Sequence, residues 1–136
     1  NKITSLNGAV GINVNGLMYS NSYNSISNKF EKYKDLLVQL IKMFRSEKLQ
    51  IALIPHTYNF SDNPYENDLY AIKQLKNEYF SKDEEVFILI EERKLFGKGL
   101  GFIDVHLLAS ALIHHTTVWT RDKSLKQVAG ELGIDY

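Results

Sequence analysis

The sequence predicts an α/β domain: a three-layer α/β/α sandwich whose mainly parallel sheet has four to five strands. Three observations lead there. AVGINV, QIALIP and EVFILI are short runs with apolar residues at consecutive positions, as in strands covered on both faces. Helix-like stretches with apolar residues three and four apart separate these runs. Strands and helices that alternate at this spacing build βαβ units, which pair their strands in parallel.

The elements follow in order. Ala9–Val14, between Gly8 and Gly16, reads as the first strand. The Asn- and Ser-rich GLMYSNSYNSISN that follows has loop composition. Ser27 or Asn28 is the expected cap of a helix whose apolar stripe is Phe30, Tyr33, Leu37, Leu40, Ile41 and Phe44. Gln50–Pro55 is the second strand; Pro55, lacking an amide donor, marks its end or an edge. After a second polar loop, Asp68 or Asn67 is expected to cap a helix carrying Leu69, Ile72, Leu75 and Tyr79. Glu85–Ile90 reads as the third strand, and Arg93–Phe96 as a possible helix start. Asp104 is expected to open and cap a helix over Val105–His114, followed by a fourth strand at Thr117–Thr120. Asp122 then caps Lys123–Leu132, with Leu125, Val128, Ala129 and Leu132 inward; Gly133 ends it, and Ile134–Tyr136 adds a short fifth strand.

Composition bounds the function. A chain of 136 residues with 44% hydrophobic residues supports one domain, spanning 1–136, with a real core. Sixteen basic residues balance sixteen acidic ones, so no overall field attracts nucleic acid, although a local basic patch is compatible with this balance. The chain has no cysteine, which excludes disulfides and thiolate metal sites. No apolar run approaches the roughly 20 residues of a membrane helix, so no membrane partner is expected. NKITSLNGAV lacks a signal-peptide layout, and a cytoplasmic location is the expectation. Exposed sheet edges leave room for a homodimer.

Residue usage changes along the chain. Asparagine occurs eleven times up to Asn77 and never afterwards, and seven of eight tyrosines precede residue 80. Two resemblances lie on either side of this change. VGINVNGLMY, IALIPHTY and NDLYAIKQL make residues from about Ala9 to Ile90 resemble the polysaccharide pyruvyl transferase family, specifically its Rossmann-like C-terminal half. FGKGLGFIDVHLLASAL and VWTRDKSL make residues from about Glu92 to Tyr136 resemble the PIN domain of VapC-type toxin ribonucleases. Two families in one short α/β chain imply a fusion, engineered or recombined, with a junction near residues 90–96; a single diverged α/β family is the alternative. Consecutive βα units bury their strands alike, so such a seam can be packed.

The resemblances also imply chemistry. A PIN nuclease gathers about four carboxylates around Mg²⁺ or Mn²⁺, whose bound water attacks a phosphodiester. Asp104 and Asp122 match two of these acids and are the candidate metal ligands. Arg121, Lys123 and Thr120 flank the second and are placed to touch phosphate. The acid expected at the end of the first strand is replaced by Asn13 or Asn15, neutral and weaker ligands. Glu66 or Asp68 is the loose counterpart of the family's helix Glu, so the candidate catalytic set is Asp104, Asp122 and Glu66. Both aspartates also suit plain helix capping. The pyruvyl transferase resemblance points to His56, just past the second strand, as an acid–base or phosphate group, but the opposite lobe of that enzyme is missing. His106 and His114 lie about two helical turns apart, too far to chelate one ion, and His115 points elsewhere. GKGLG lacks the ending of a phosphate loop. The leading expectation is therefore a folded chimera with no complete active site and no cofactor. The alternative is a PIN-like Mg²⁺- or Mn²⁺-dependent ribonuclease acting on RNA. A third reading is a module binding a small anion or nucleotide in the strand-end cleft.

Overall fold

The computed structural model describes residues 6, 8–21, 29–58 and 66–136. The elements run β1 (Val10–Val14), α1 (Gly16–Tyr19), α2 (Tyr33–Ser46), β2 (Ile51–Pro55), α3 (Asp68–Tyr79), β3 (Val86–Ile88), α4 (Leu89–Glu92), α5 (Phe102–His114) and α6 (Lys123–Glu131). The α/β class and the parallel pairing are as expected. The strand count is smaller: among the described residues the sheet has three strands in the order β1-β2-β3.

Val10 aligns with Ile51, and Ile51 with Val86, in two parallel ladders. All five residues of β2 are buried. Successive strand side chains point to opposite faces, so both faces of the central strand are covered. Both crossovers step the same way across the sheet, and the usual right hand of such connections places α2 and α3 on one face. These two helices pack on each other and on β2. α5 packs on β1 and β2. A Cβ placed on Gly11 would lie 3.4 Å from Ile113 Cδ1, which puts α5 on the face of β1 that carries Gly11 and Asn13.

The core is continuous. It joins Ile41 of α2, Ile51 and Leu53 of β2, Ile72 and Leu75 of α3 and Val86 of β3 to Val105 and Leu108 of α5 and Leu125 and Val128 of α6. α2 buries Leu37, Val38 and Ile41, with Tyr33, Leu40 and Phe44 partly buried beside them, close to the expected stripe. Ser27 and Asn28, the expected caps, lie outside the described residues; the residue at the cap position is Lys32, which makes no side-chain cap bond. Asn67, not Asp68, caps α3.

Four local expectations need correction. The loop after β1 contains α1, a short helix capped by Asn15, whose Oδ1 accepts the Met18 amide. β3 stops at Ile88, and the apolar Leu89 and Ile90 begin α4. No helix starts at Arg93, which is the C-cap of α4, and Lys94 has φ 53°. Thr117–Thr120 and Ile134–Tyr136 are not sheet strands: they meet only in a parallel bridge, Val118 with Asp135, where the Val118 amide donates to Ile134 O at 2.6 Å.

Candidate strand-end site

In the β1–β2 ladder the Val10 amide donates to Gln50 O, so the amides of Gly11 and Asn13 face the outer edge of β1. The chain changes face between α3 and α5, and α5 packs on β1 at the edge of the sheet. Ligands of open α/β sheets bind beyond the carboxyl ends of the strands. Here that place is bounded by the ends of β1 and β2 and by the N-termini of α3 and α5.

The dominant polar group there is Asp68, a buried residue that sequence reasoning treated only as a cap or a loose counterpart. Its Oδ1 accepts the Gly16 amide at 2.6 Å. Its Oδ2 accepts the His56 amide at 3.0 Å and the Thr57 amide at 2.9 Å. One carboxylate thus ties the ends of β1 and β2 to the first turn of α3. A buried charge is tolerated here because backbone dipoles from two loops converge on it. The Asn13 amide nitrogen donates to Ile54 O at 2.9 Å, across the ladder. Asn13 and Asn15 are therefore both engaged with backbone.

Asp104 sits in the third position of α5, and the helix begins two residues before it at Phe102. Gly101, not Asp104, is the cap residue, and Asp104 Oδ2 accepts its amide at 2.7 Å. Asp104 also lies near Tyr58: burial first, and the Asp104 charge second, raise the Tyr58 phenol above its usual pKa. Tyr58 donates its hydroxyl to Leu100 O at 2.7 Å. Asp122 is the N-cap of α6, as expected, and its Oδ1 accepts the Leu125 amide at 2.8 Å. The two aspartate-bearing helix starts are linked by the glycine-rich turn: a Cβ on Gly99 would lie 3.2 Å from Ser124 Oγ, in the first turn of α6. Glu66 is exposed just before α3, and its carbonyl accepts the Thr57 hydroxyl at 2.9 Å. Among the described residues, no three His, Asp or Glu side chains stand close enough to hold one metal ion.

A second grouping at this end was missed. The His56 ring lies against Phe102, with centroids 3.9 Å apart, and 6.2 Å from the ring of His106. His106 Nδ1 lies 2.8 Å from Phe102 O. A carbonyl only accepts, so this nitrogen is the donor in that contact. The spacing of Phe102 and His106, four apart on one helix face, was legible; their meeting with His56 across the fold was not.

The comparisons with known proteins bear on the same chain. It is 46% identical over 52 residues to Ribonuclease VapC32 of Mycobacterium tuberculosis strain CDC 1551 / Oshkosh, a stretch that is 38% of this chain and 42% of that protein. The protein of the same name from strain ATCC 25618 / H37Rv matches over the same length at the same identity. The chain thus spans less than half the length of the curated relatives it matches. No family model matches, and neither does any solved structure. The similarity supports the PIN/VapC resemblance for part of the chain. No comparison shows a resemblance to polysaccharide pyruvyl transferases. Among the described residues no helix is long and apolar enough to cross a membrane.

Proposed function

We propose that the chain is a chimera, engineered or recombined, in which a PIN-like C-terminal portion completes the core of a different α/β frame without completing a nuclease site. The observation that carries this reading is the end of β1. Where the PIN resemblance calls for an acid, Asn13 and Asn15 stand, one bonded to Ile54 O and the other capping α1. Hard divalent cations take their ligands from several oxygens, and carboxylates offset their charge. The donors here do not fit that demand. Asp68 is engaged on both oxygens by three backbone amides, and Asp104 and Asp122 each hold the start of a helix.

The similarity to a ribonuclease favours a second reading, a Mg²⁺- or Mn²⁺-dependent ribonuclease with Asp104 and Asp122 as metal ligands and Glu66 beside them. In each aspartate the hydrogen bond described engages one carboxylate oxygen, which leaves the other as a donor. Calorimetric titration with Mn²⁺, run beside an RNA-cleavage assay, separates the two. The chimera reading expects no saturable heat at millimolar Mn²⁺ and no cleavage. Saturable binding with cleavage, both lost in Asp104→Asn and Asp122→Asn, would establish the ribonuclease instead. Asparagine is a good helix cap, so the Asp122 variant removes charge while keeping the fold.

A further inference from the structure

A cavity of about 320 Å³ lies between α5 and the segment that follows it, among Leu107, Ser110, Thr116, Thr117, Trp119 and Thr120. Leu107 and Ser110, three apart on one face of α5, are both exposed. His115 ends the helix in the left-handed conformation, φ 52°, and Thr116–Thr120 then lies beside that face. Val118 is held by the main chain: its amide donates to Ile134 O, and its carbonyl accepts the Tyr136 amide at 3.3 Å. Neighbours in an extended stretch point to opposite sides, so half-buried Val118 turns inward while Thr117 and Trp119 turn out. Trp119 is 73% exposed, and Leu107 beside it 49%. None of the lining residues carries a charge. The hydroxyls of Ser110, Thr116 and Thr117 bond to no other described residue. Thr120 Oγ1 accepts the Asp122 amide at 3.1 Å and keeps its own proton to donate.

We infer that this cavity binds a pyranose sugar with equatorial hydroxyls, a β-glucoside, whose C–H face lies on the Trp119 indole and whose hydroxyls bond to Ser110, Thr116 and Thr117. Such a ring is uncharged, as the lining is. Its axial hydrogens form a flat apolar face with a slight positive polarity, which the negative face of an indole attracts. Its rim hydroxyls both donate and accept, as serine and threonine hydroxyls do, so each side-chain hydroxyl finds a partner in either role. A hydrocarbon ligand would cover these hydroxyls and leave them unbonded, which costs affinity. An anion would meet no cation in the wall. The volume, at the lower end of small-molecule pockets, suits a ligand of one ring. The site uses none of the strand-end carboxylates and is independent of any nuclease activity.

Trp119 is the single tryptophan of the chain, so its emission reports on this cavity alone. The test titrates the full chain with methyl β-D-glucopyranoside, and with uridine in parallel. The glucoside should shift the emission saturably to shorter wavelength as it covers the indole, with half-saturation at about 1 mM, the affinity expected of a ligand this small. Amide shifts in the same titration should move at Ser110 and Thr116–Thr120. Followed by those shifts, Trp119→Ala should weaken binding about tenfold and Thr117→Val about fivefold. Both side chains are exposed, so neither change disturbs the core. The inference is overturned if the emission shows no saturable change by about 50 mM glucoside. It is equally overturned if the moved amides lie elsewhere, if Trp119→Ala binds as the parent does, or if uridine saturates the cavity at lower concentration than the glucoside, which would make it a nucleoside pocket.

Discussion

Asp68 shows how one side chain can hold a strand-end site in shape. Three backbone amides from two separate loops meet its two oxygens. Asp68→Asn replaces one acceptor oxygen with an NH₂ that faces a donor, leaving buried amides unsatisfied. Hydrogen bonds to a charged group contribute about 1.5–3 kcal/mol each, so this substitution should destabilise the fold by about 3 kcal/mol, read from the urea midpoint. The sequence-predicted acids are smaller contributors. Asp122→Ala should cost about 1 kcal/mol for the lost cap, while Asp122→Asn should be close to neutral; the same urea titration compares them. Asp122 was legible as a cap because it directly precedes an amphipathic run and turns its oxygen onto an amide three residues on. The start of α5 was misplaced by three residues, because Gly101 and not Asp104 is its cap. Gly101 takes the extended cap geometry, so Phe102 and Ile103 already belong to the helix although both are substantially exposed. The role of Asp68 was not legible, since its partners lie 11, 12 and 52 residues away.

At the scale of elements, what was legible was whatever local patterning decides. α2 follows its apolar stripe because the period of the sequence matches the period of the helix. Strands depend on neighbours, and there the reading overreached. Thr117–Thr120 looks like a strand by composition, but Trp119 is 73% exposed and the segment's pairing is a single bridge, Val118 with Asp135, bonded through Ile134 and Tyr136. Leu89 and Ile90 extend the apolar run of β3 yet turn into α4, because a short buried run does not distinguish strand from helix. Between elements, the ion pair that links α2 to α3 predicts a pH dependence. Lys34 Nζ is 2.8 Å from Glu78 and lies between the rings of Tyr19 and Tyr79. The hydrogen bond from Lys34 holds the Glu78 carboxyl below its usual pKa, and the bond from Lys98 does the same to Glu131. A carboxyl that binds its proton less tightly in the folded state contributes stability above its unfolded pKa. That contribution is lost as pH falls through the folded value. Lys34, held above the ordinary lysine value chiefly by Glu78, contributes below that value and loses its contribution as pH rises through the folded pKa. Urea midpoints should therefore fall between about pH 6 and about pH 3, and the fall should be shallower in a Lys34→Met, Lys98→Met variant. Equal slopes in parent and variant would remove these pairs from the account.

At the scale of the molecule, the question is whether the two stretches of different residue usage fold as one unit. The packing says they share a core. Leu108 and Val105 of α5 are fully buried in the same cluster as Ile51 and Leu53 of β2 and Ile41 of α2. The backbone of β1 comes close enough to α5 that a Cβ on Gly11 would lie 3.4 Å from Ile113 Cδ1. His56, at the end of β2, closes the same seam from above by lying against Phe102. Removing α5 would uncover the face of β1 and β2 that it covers, and a three-stranded sheet with one bare face has little reason to stay folded. Unfolding should therefore be a single cooperative transition, as is usual for a domain of this size. Leu108→Ala opens a cavity at the junction and should cost about 3 kcal/mol. Amide hydrogen exchange tests the coupling directly, because exchange through global unfolding reports the same free energy wherever it is measured. The slowest amides of α2 and β2 and those of α5 should exchange with one free energy in the parent chain. All should lose protection by the same amount in Leu108→Ala. Protection lost in α5 while α2 keeps its parent value would mean that the two stretches unfold separately and that the shared core does not couple them.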